Sequence, residues 1–75
     1  LEQYVRERLV FGLRRREGVR LPELTAIWGN DLSRIFEPHL DRYLAQGWLE
    51  MKDDEILRLT HAGLIISDSL WPDLL

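Results

Sequence analysis

Four groups of residues in this chain are of types that could do chemistry: His39 and His61, the run Ser67-Asp68-Ser69, the carboxylates Asp53-Asp54-Glu55, and the arginines Arg14-Arg15-Arg16. A metal or haem iron held by protein needs converging donors, and neither histidine has a second ligand at metal spacing. Each reads more simply as a surface residue or a helix-start donor. A serine nucleophile needs an imidazole base within hydrogen-bond reach, and no histidine stands at a meaningful spacing from Ser67 or Ser69. The three carboxylates fall on what reads as an exposed turn, without the enclosure that raises a carboxyl pKa for acid work. No glycine-rich phosphate loop is present, and the absence of cysteine removes disulfides, thiolate metal sites and any ligand for an iron–sulfur cluster. The expectation is therefore that the chain holds no catalytic, metal-binding or cofactor-binding residue of its own.

The arginine run invites a nucleic-acid reading, and two facts oppose it. Glu2, Glu7 and Glu17 share its helix, and cations at a helix end complement the negative end of the dipole. The whole chain has 10 Lys+Arg against 13 Asp+Glu, 10 − 13 = −3, so it offers no general attraction to phosphate backbones or anionic lipid. Apolar residues make up 45% and charged residues 31% of the 75, a balance that folds as one domain with a small core. No apolar run approaches the ~20 residues of a membrane helix and nothing resembles a signal peptide, so a soluble, cytoplasmic protein is expected. The chain begins at Leu1, inside apparent helix and without an initiator Met, which reads as a domain excised from a longer protein.

The elements that must position these residues follow from periodicity. Val5, Leu9 and Leu13 recur at four-residue steps, with Tyr4 and Phe11 assigned to the same arc, giving one amphipathic helix over Leu1 to Arg16 that Gly18 ends. Gly12 marks a close helix contact, and Arg8 snorkels along its stem. Val19-Arg20-Leu21 is a short extended bridge. Pro22 opens a second helix with Leu24, Ile27 and Trp28 on its apolar side, stopped by Gly29-Asn30. Asp31 caps a short piece carrying Leu32, Ile35 and Phe36, and Pro38 interrupts it. Leu40, Tyr43 and Leu44 continue as a third helix closed by Gly47.

A hairpin comes next. Leu49 and Met51 alternate with Trp48, Glu50 and Lys52, and Leu57 and Leu59 with Ile56, Arg58 and Thr60. Thr60 then caps a last helix whose inner side is Ala62, Ile65, Ile66 and Leu70, with Gly63 close to a neighbouring backbone. Pro72 interrupts it, and Trp71, Leu74 and Leu75 form an apolar tail. Helices followed by a hairpin and a capped helix give a mainly α chain with a small antiparallel β-hairpin, the layout of a winged-helix-like domain over residues 1–75. In a DNA-reading member the third helix enters the major groove. Its exposed positions here are His39, Asp41, Arg42, Ala45 and Gln46, and the wing tip is Asp53-Asp54-Glu55, where phosphate contact requires Lys or Arg. So small a chain is not expected to cover all of Trp28, Trp48 and Trp71, and part of that set is expected to dock on another domain.

The string FGLRRREGV, Phe11 to Val19, resembles the G-L-R-x-x-E-G-V element opening the C-terminal domain of the oxygen-independent coproporphyrinogen III oxidase group, a branch of the radical SAM enzymes. LDRYLAQGWLE, followed by ILRLTHAGLIISDSL, is similar to that domain's Leu-rich helix, glycine, hairpin, Leu-Thr-x-x-Gly and closing helix. The pattern looks more like the haem-chaperone-like (HemW-type) members than the dedicated oxidase. Pro38 and Pro72 depart from it. The resemblance implies a parent with a catalytic barrel upstream that holds a [4Fe–4S] cluster through Cys-x3-Cys-x2-Cys, binds S-adenosylmethionine, and acts on or carries porphyrins. It implies an accessory domain for this chain, packed beside the barrel and helping to shape the porphyrin site. Arg14, Arg20, Trp28, Trp48 and Trp71 are then the domain-docking or substrate-facing residues. A generic winged-helix protein-interaction module and, less favoured, a DNA-binding transcriptional regulator are the alternatives.

Overall fold

The computed structural model describes all residues from Leu1 to Leu75. Helix α1 spans Glu2–Leu13, strand β1 Val19–Arg20, α2 Leu21–Trp28, α3 Ser33–Phe36 and α4 His39–Ala45. Strands β2 (Leu49–Lys52) and β3 (Ile56–Leu59) precede α5 (His61–Ile65), a 3-10 turn over Ser67–Ser69 and α6 (Trp71–Leu74). The chain is thus mostly helical, with one small antiparallel sheet in the order β1-β3-β2.

The sheet has one strand more than the expected hairpin. Val19-Arg20, read as a bridge, pairs antiparallel with β3, Val19 opposite Leu57 and Arg20 opposite Ile56. Two residues are too few to register as a periodic strand, and only their partner across the sheet defines them. The hairpin has the expected alternation: Leu49 lies opposite Leu59 and Met51 opposite Leu57 on one face, Glu50 opposite Arg58 on the other. That second face carries an Arg58–Glu50 ion pair at 2.6 Å. The turn between the strands takes Asp53 and Asp54 to φ 56° and 59°, a left-handed backbone that Asp tolerates better than most residues. Asp53 and Asp54 are thereby accounted for as turn formers, and Glu55 is held by Arg20.

The core forms where α1 crosses the sheet. Val5, Leu9 and Leu13 are buried as expected, together with Val10, Leu24, Phe36, Tyr43, Leu49 and Leu57. Tyr4 and Phe11 are not on that arc. Phe11 stands about 200° around the helix from Leu9, and it is 59% exposed. Helix α1 also stops at Leu13, short of Arg16.

The C-terminal segment differs most from expectation. Instead of one helix broken at Pro72, α5 ends at Ile65 and a 3-10 turn leads to α6, with Pro72 in the first turn of α6. There the missing N–H of proline costs nothing. Leu70 is buried as expected, and of the expected apolar tail Trp71 and Leu74 pack into the core while Leu75 is exposed; Ile65, expected inward, is 71% exposed and Ala62 is exposed too. A five-residue helix covers its neighbours with little more than one face, and here Gly63 takes the inner position.

Candidate functional site

Three of the sequence-selected features converge on the C-terminal end of α1. Arg14, Arg15 and Arg16 border a groove of about 250 Å³ that Leu13, Leu59, Thr60, His61 and Leu64 complete. Arg14 lies with its guanidinium carbon 5.4 Å from the Trp71 ring centroid, and Arg15 lies 5.8 Å from that of Phe11 while facing Glu17 at 3.6 Å. Arg16 is exposed and makes no ion pair. The groove therefore has a cationic rim, an apolar wall and one imidazole. It offers charge-assisted hydrogen bonds to a carboxylate and no nucleophile or acid–base pair.

Arg20 does not join this group. Its guanidinium bonds Glu55 at 2.8 Å and faces Glu23 at 3.7 Å. The ion pairs lie beside a second groove of about 430 Å³ between α1, β1 and α2, lined among others by Arg8, Phe11 and Arg15. None of the three tryptophans is largely exposed. Trp71 is 7% exposed under Arg14, because α6 folds back on α1. Trp48 is half-buried beside Tyr43, centroids 5.8 Å apart. Trp28 is half-buried too, its indole N–H enclosed without an acceptor. The docking role expected of Trp71 thus has no exposed ring to act through in this domain.

His39 stacks on Tyr43 and contacts Arg42 at 3.2 Å, whereas His61 stands exposed at the start of α5. No three His, Asp or Glu side chains converge as metal ligands. With no cysteine in the chain, its residues do not fit the iron–sulfur cluster that the resemblance assigns to a parent.

Two polar connections were not foreseen. Arg6 bonds Glu2 at 2.9 Å and, through its two remaining nitrogens, the carbonyls of Ile35 and Leu74, both at 3.1 Å. One guanidinium so ties α1 to α3 and α6. Backbone carbonyls 29 and 68 residues away leave no signal beside Arg6 in the sequence. Tyr43, foreseen as core, donates its hydroxyl to Asp73 at 2.6 Å. Burial, and then the Asp73 carboxylate, push the Tyr43 phenol above its ordinary pKa.

The two motif segments meet at seams with the sheet. A Cβ at Gly12 would come within 2.6 Å of the Val19 Cβ, so Gly12 lets α1 lie directly on β1. Gly18 has φ +82° and faces the Leu57 carbonyl. On the other side, Thr60 Oγ1 accepts from Gly63 N–H at 3.0 Å and donates to the Gly47 carbonyl at 2.6 Å. Any Cβ at Gly63 would collide with the Trp48 carbonyl. Thr60 thereby caps α5 and holds the start of the hairpin, and Gly63 removes the side chain that would prevent it.

Residues 1–66 match the family described as the HemN C-terminal domain. Comparisons with curated proteins and with solved structures return no match. The matched range takes in both motif seams and the groove at Arg14–Arg16, and α6 completes the core just beyond it. The chain belongs to the HemN C-terminal domain family, the accessory C-terminal domain of HemN-like proteins.

Proposed function

We propose that this domain packs beside the catalytic barrel of a radical SAM parent and helps to close its porphyrin site, with the end of α1 as the face turned toward that site. The observation that carries the reading is the grouping of Arg14, Arg15 and Arg16 with Leu64 around one groove. Leu13 and Leu59 complete its apolar side. Propionate carboxylates call for guanidinium donors, and a flat apolar macrocycle calls for aliphatic contact beside them. The parent would supply the cluster and S-adenosylmethionine from its own barrel, since this chain has no cysteine. This chain's residues would bind and orient the substrate's edge and exclude water.

Arg20, engaged by Glu55 and Glu23, serves as the internal control. In the full-length parent, the double variant Arg14→Ala/Arg16→Ala is expected to weaken porphyrin binding, followed by absorbance titration, by about tenfold, with Arg20→Ala near the parent value. Unchanged porphyrin affinity in the double variant would remove the substrate-contact role. A cysteine triad upstream at Cys-x3-Cys-x2-Cys spacing is the simplest check on the parent class, and its absence would overturn the barrel partner. A second reading, an interaction module for a separate protein, is supported by exposed Tyr4 and Phe11 on α1; retention of full porphyrin affinity by a parent lacking the domain would favour it.

A further inference from the structure

Sharing no lining residue with the Arg14–Arg16 groove, a second surface has the opposite character. A groove of about 240 Å³ opens between the start of α2, the α3–α4 region and the end of β2, and most of its lining is hydrophobic. Leu21, Leu40, Leu44 and Met51 form its accessible floor, half-buried or exposed, and Phe36 and Leu57 lie buried beneath. Met51 is 39% exposed although it lies in register with buried Leu57 on the inner face of the sheet. An unbranched thioether at such a place adapts its shape to what it covers.

The rim is acidic. Asp31, Glu37 and Asp41 line the groove, and no Lys or Arg does. Glu37 and Asp41 make no ion pair, while Asp31 accepts from the Ser33 backbone N–H at 3.0 Å and also feels the Ser33 hydroxyl and the charge of Arg34. The cations on adjoining segments are Arg34, Arg42 and Lys52. Arg42 is turned to Asp73 and His39, and Arg34 and Lys52 make no ion pair of their own. The apolar floor is built from side chains of several elements, and Met51 of the four-residue marginal strand β2 is its one exposed strand residue, so an occupant is held by side-chain anchors. Recognition of that kind is how amphipathic helices seat in grooves.

We propose that this groove docks a basic amphipathic helix of a partner protein, its apolar residues on Leu40, Leu44 and Met51 and its Lys or Arg side chains against Asp31, Glu37 and Asp41. Floor burial supplies affinity, and the rim selects the charge of the ligand. The inference stands apart from the porphyrin reading, since it uses none of the residues that line the arginine groove and no parent residue.

The test titrates the isotopically labelled 75-residue chain, followed by NMR, with three synthetic peptides: a Leu/Lys amphipathic helix, the same helix with every Lys replaced by Glu, and a scrambled Leu/Lys peptide of identical composition. The Leu/Lys helix is expected to bind saturably, with shifts centred on Leu40, Leu44 and Met51. The Glu version and the scrambled peptide are expected to bind at least about tenfold more weakly. Glu37→Lys/Asp41→Lys, at exposed positions that leave the fold intact by circular dichroism, is expected to reverse the preference toward the Glu helix. Met51→Asp is expected to abolish both. Equal binding of helix and scramble, shifts centred elsewhere, or no saturable binding overturns the proposal. So does self-association in ultracentrifugation that Met51→Asp removes, because the occupant is then a second copy.

Discussion

The corner at Thr60–Gly63 and the arginine end of α1 lie on either side of one groove, yet they are built on opposite terms. At the corner, side chains are small and nearly every polar atom is spent on the backbone: Thr60 Oγ1 serves Gly63 and Gly47, and the Thr60 N–H reaches the Trp48 carbonyl at 3.0 Å. At the arginine end the side chains are long and exposed, and their partners are ring faces or one loose ion pair. The first region has no spare chemistry and sets the fold. The second contributes little to the fold and keeps its chemistry free.

The strongest way to break that contrast is at Gly63. Gly63→Ala places a methyl against the Trp48 carbonyl, where neither backbone can give way. Overpacking ordinarily costs 1–3 kcal/mol, and with backbone on both sides a loss of about 3 kcal/mol is expected in urea denaturation, enough to unfold much of a domain this small. A loss under about 1 kcal/mol would mean that the corner is not rigid. Thr60→Ala comes next, removing an N-cap and the bond to Gly47, with an expected cost of about 1–2 kcal/mol; Thr60→Ser should restore most of it.

Tyr43 sharpens the comparison through pH, since it packs beside Trp48 at the same corner. Its folded pKa lies above the ordinary 10.0, so the folded state holds the phenol proton more tightly than the unfolded state. That contribution is complete below pH 10 and is lost as pH rises through the folded pKa. Wild-type stability should therefore fall on the alkaline side, and Tyr43→Phe should flatten that fall while costing about 1 kcal/mol at neutral pH. The smallest effects belong to the arginine end. Arg14→Ala should cost about 0.5–1 kcal/mol through its contact with Trp71, and Arg16→Ala should stay within about 0.5 kcal/mol. A larger loss at Arg16 would place it among the fold-determining residues and weaken its proposed role.

Local chemistry was legible in the sequence and long-range partnership was not. Gly12, Gly18, Gly47, Thr60 and Gly63 announce themselves by residue type, and each sits at a seam, a turn or a cap. Strand β1 was hidden because two residues have no period, and only Ile56 and Leu57 make them a strand. The assignment of Tyr4 and Phe11 to the buried arc failed on helix geometry, since aromatic character outweighed angle. Trp71 and Leu74 read as an apolar tail because proline and terminal position suggested one, whereas Arg6 and Tyr43 hold that segment from far back in the chain. Of the five candidate docking residues, Arg14 lies at the exposed basic groove, Arg20 is tied up in ion pairs and Trp71 is covered. The groove rimmed by Asp31, Glu37 and Asp41 had no signature at all, since its lining comes from separate segments.

The strand order β1-β3-β2 also governs how this domain behaves in a crowded solution. With β3 central, the two strands left at the margins are β1, only two residues long, and β2, only four. Pro22 follows β1 within two residues of its end, and β2 carries Glu50 and Lys52. Short, charged margins of this kind give an invading strand little to pair with. A domain with exposed Phe11, Leu64 and Ile65 is in this way guarded against runaway strand-to-strand aggregation, and its apolar surface can stay available for specific contact.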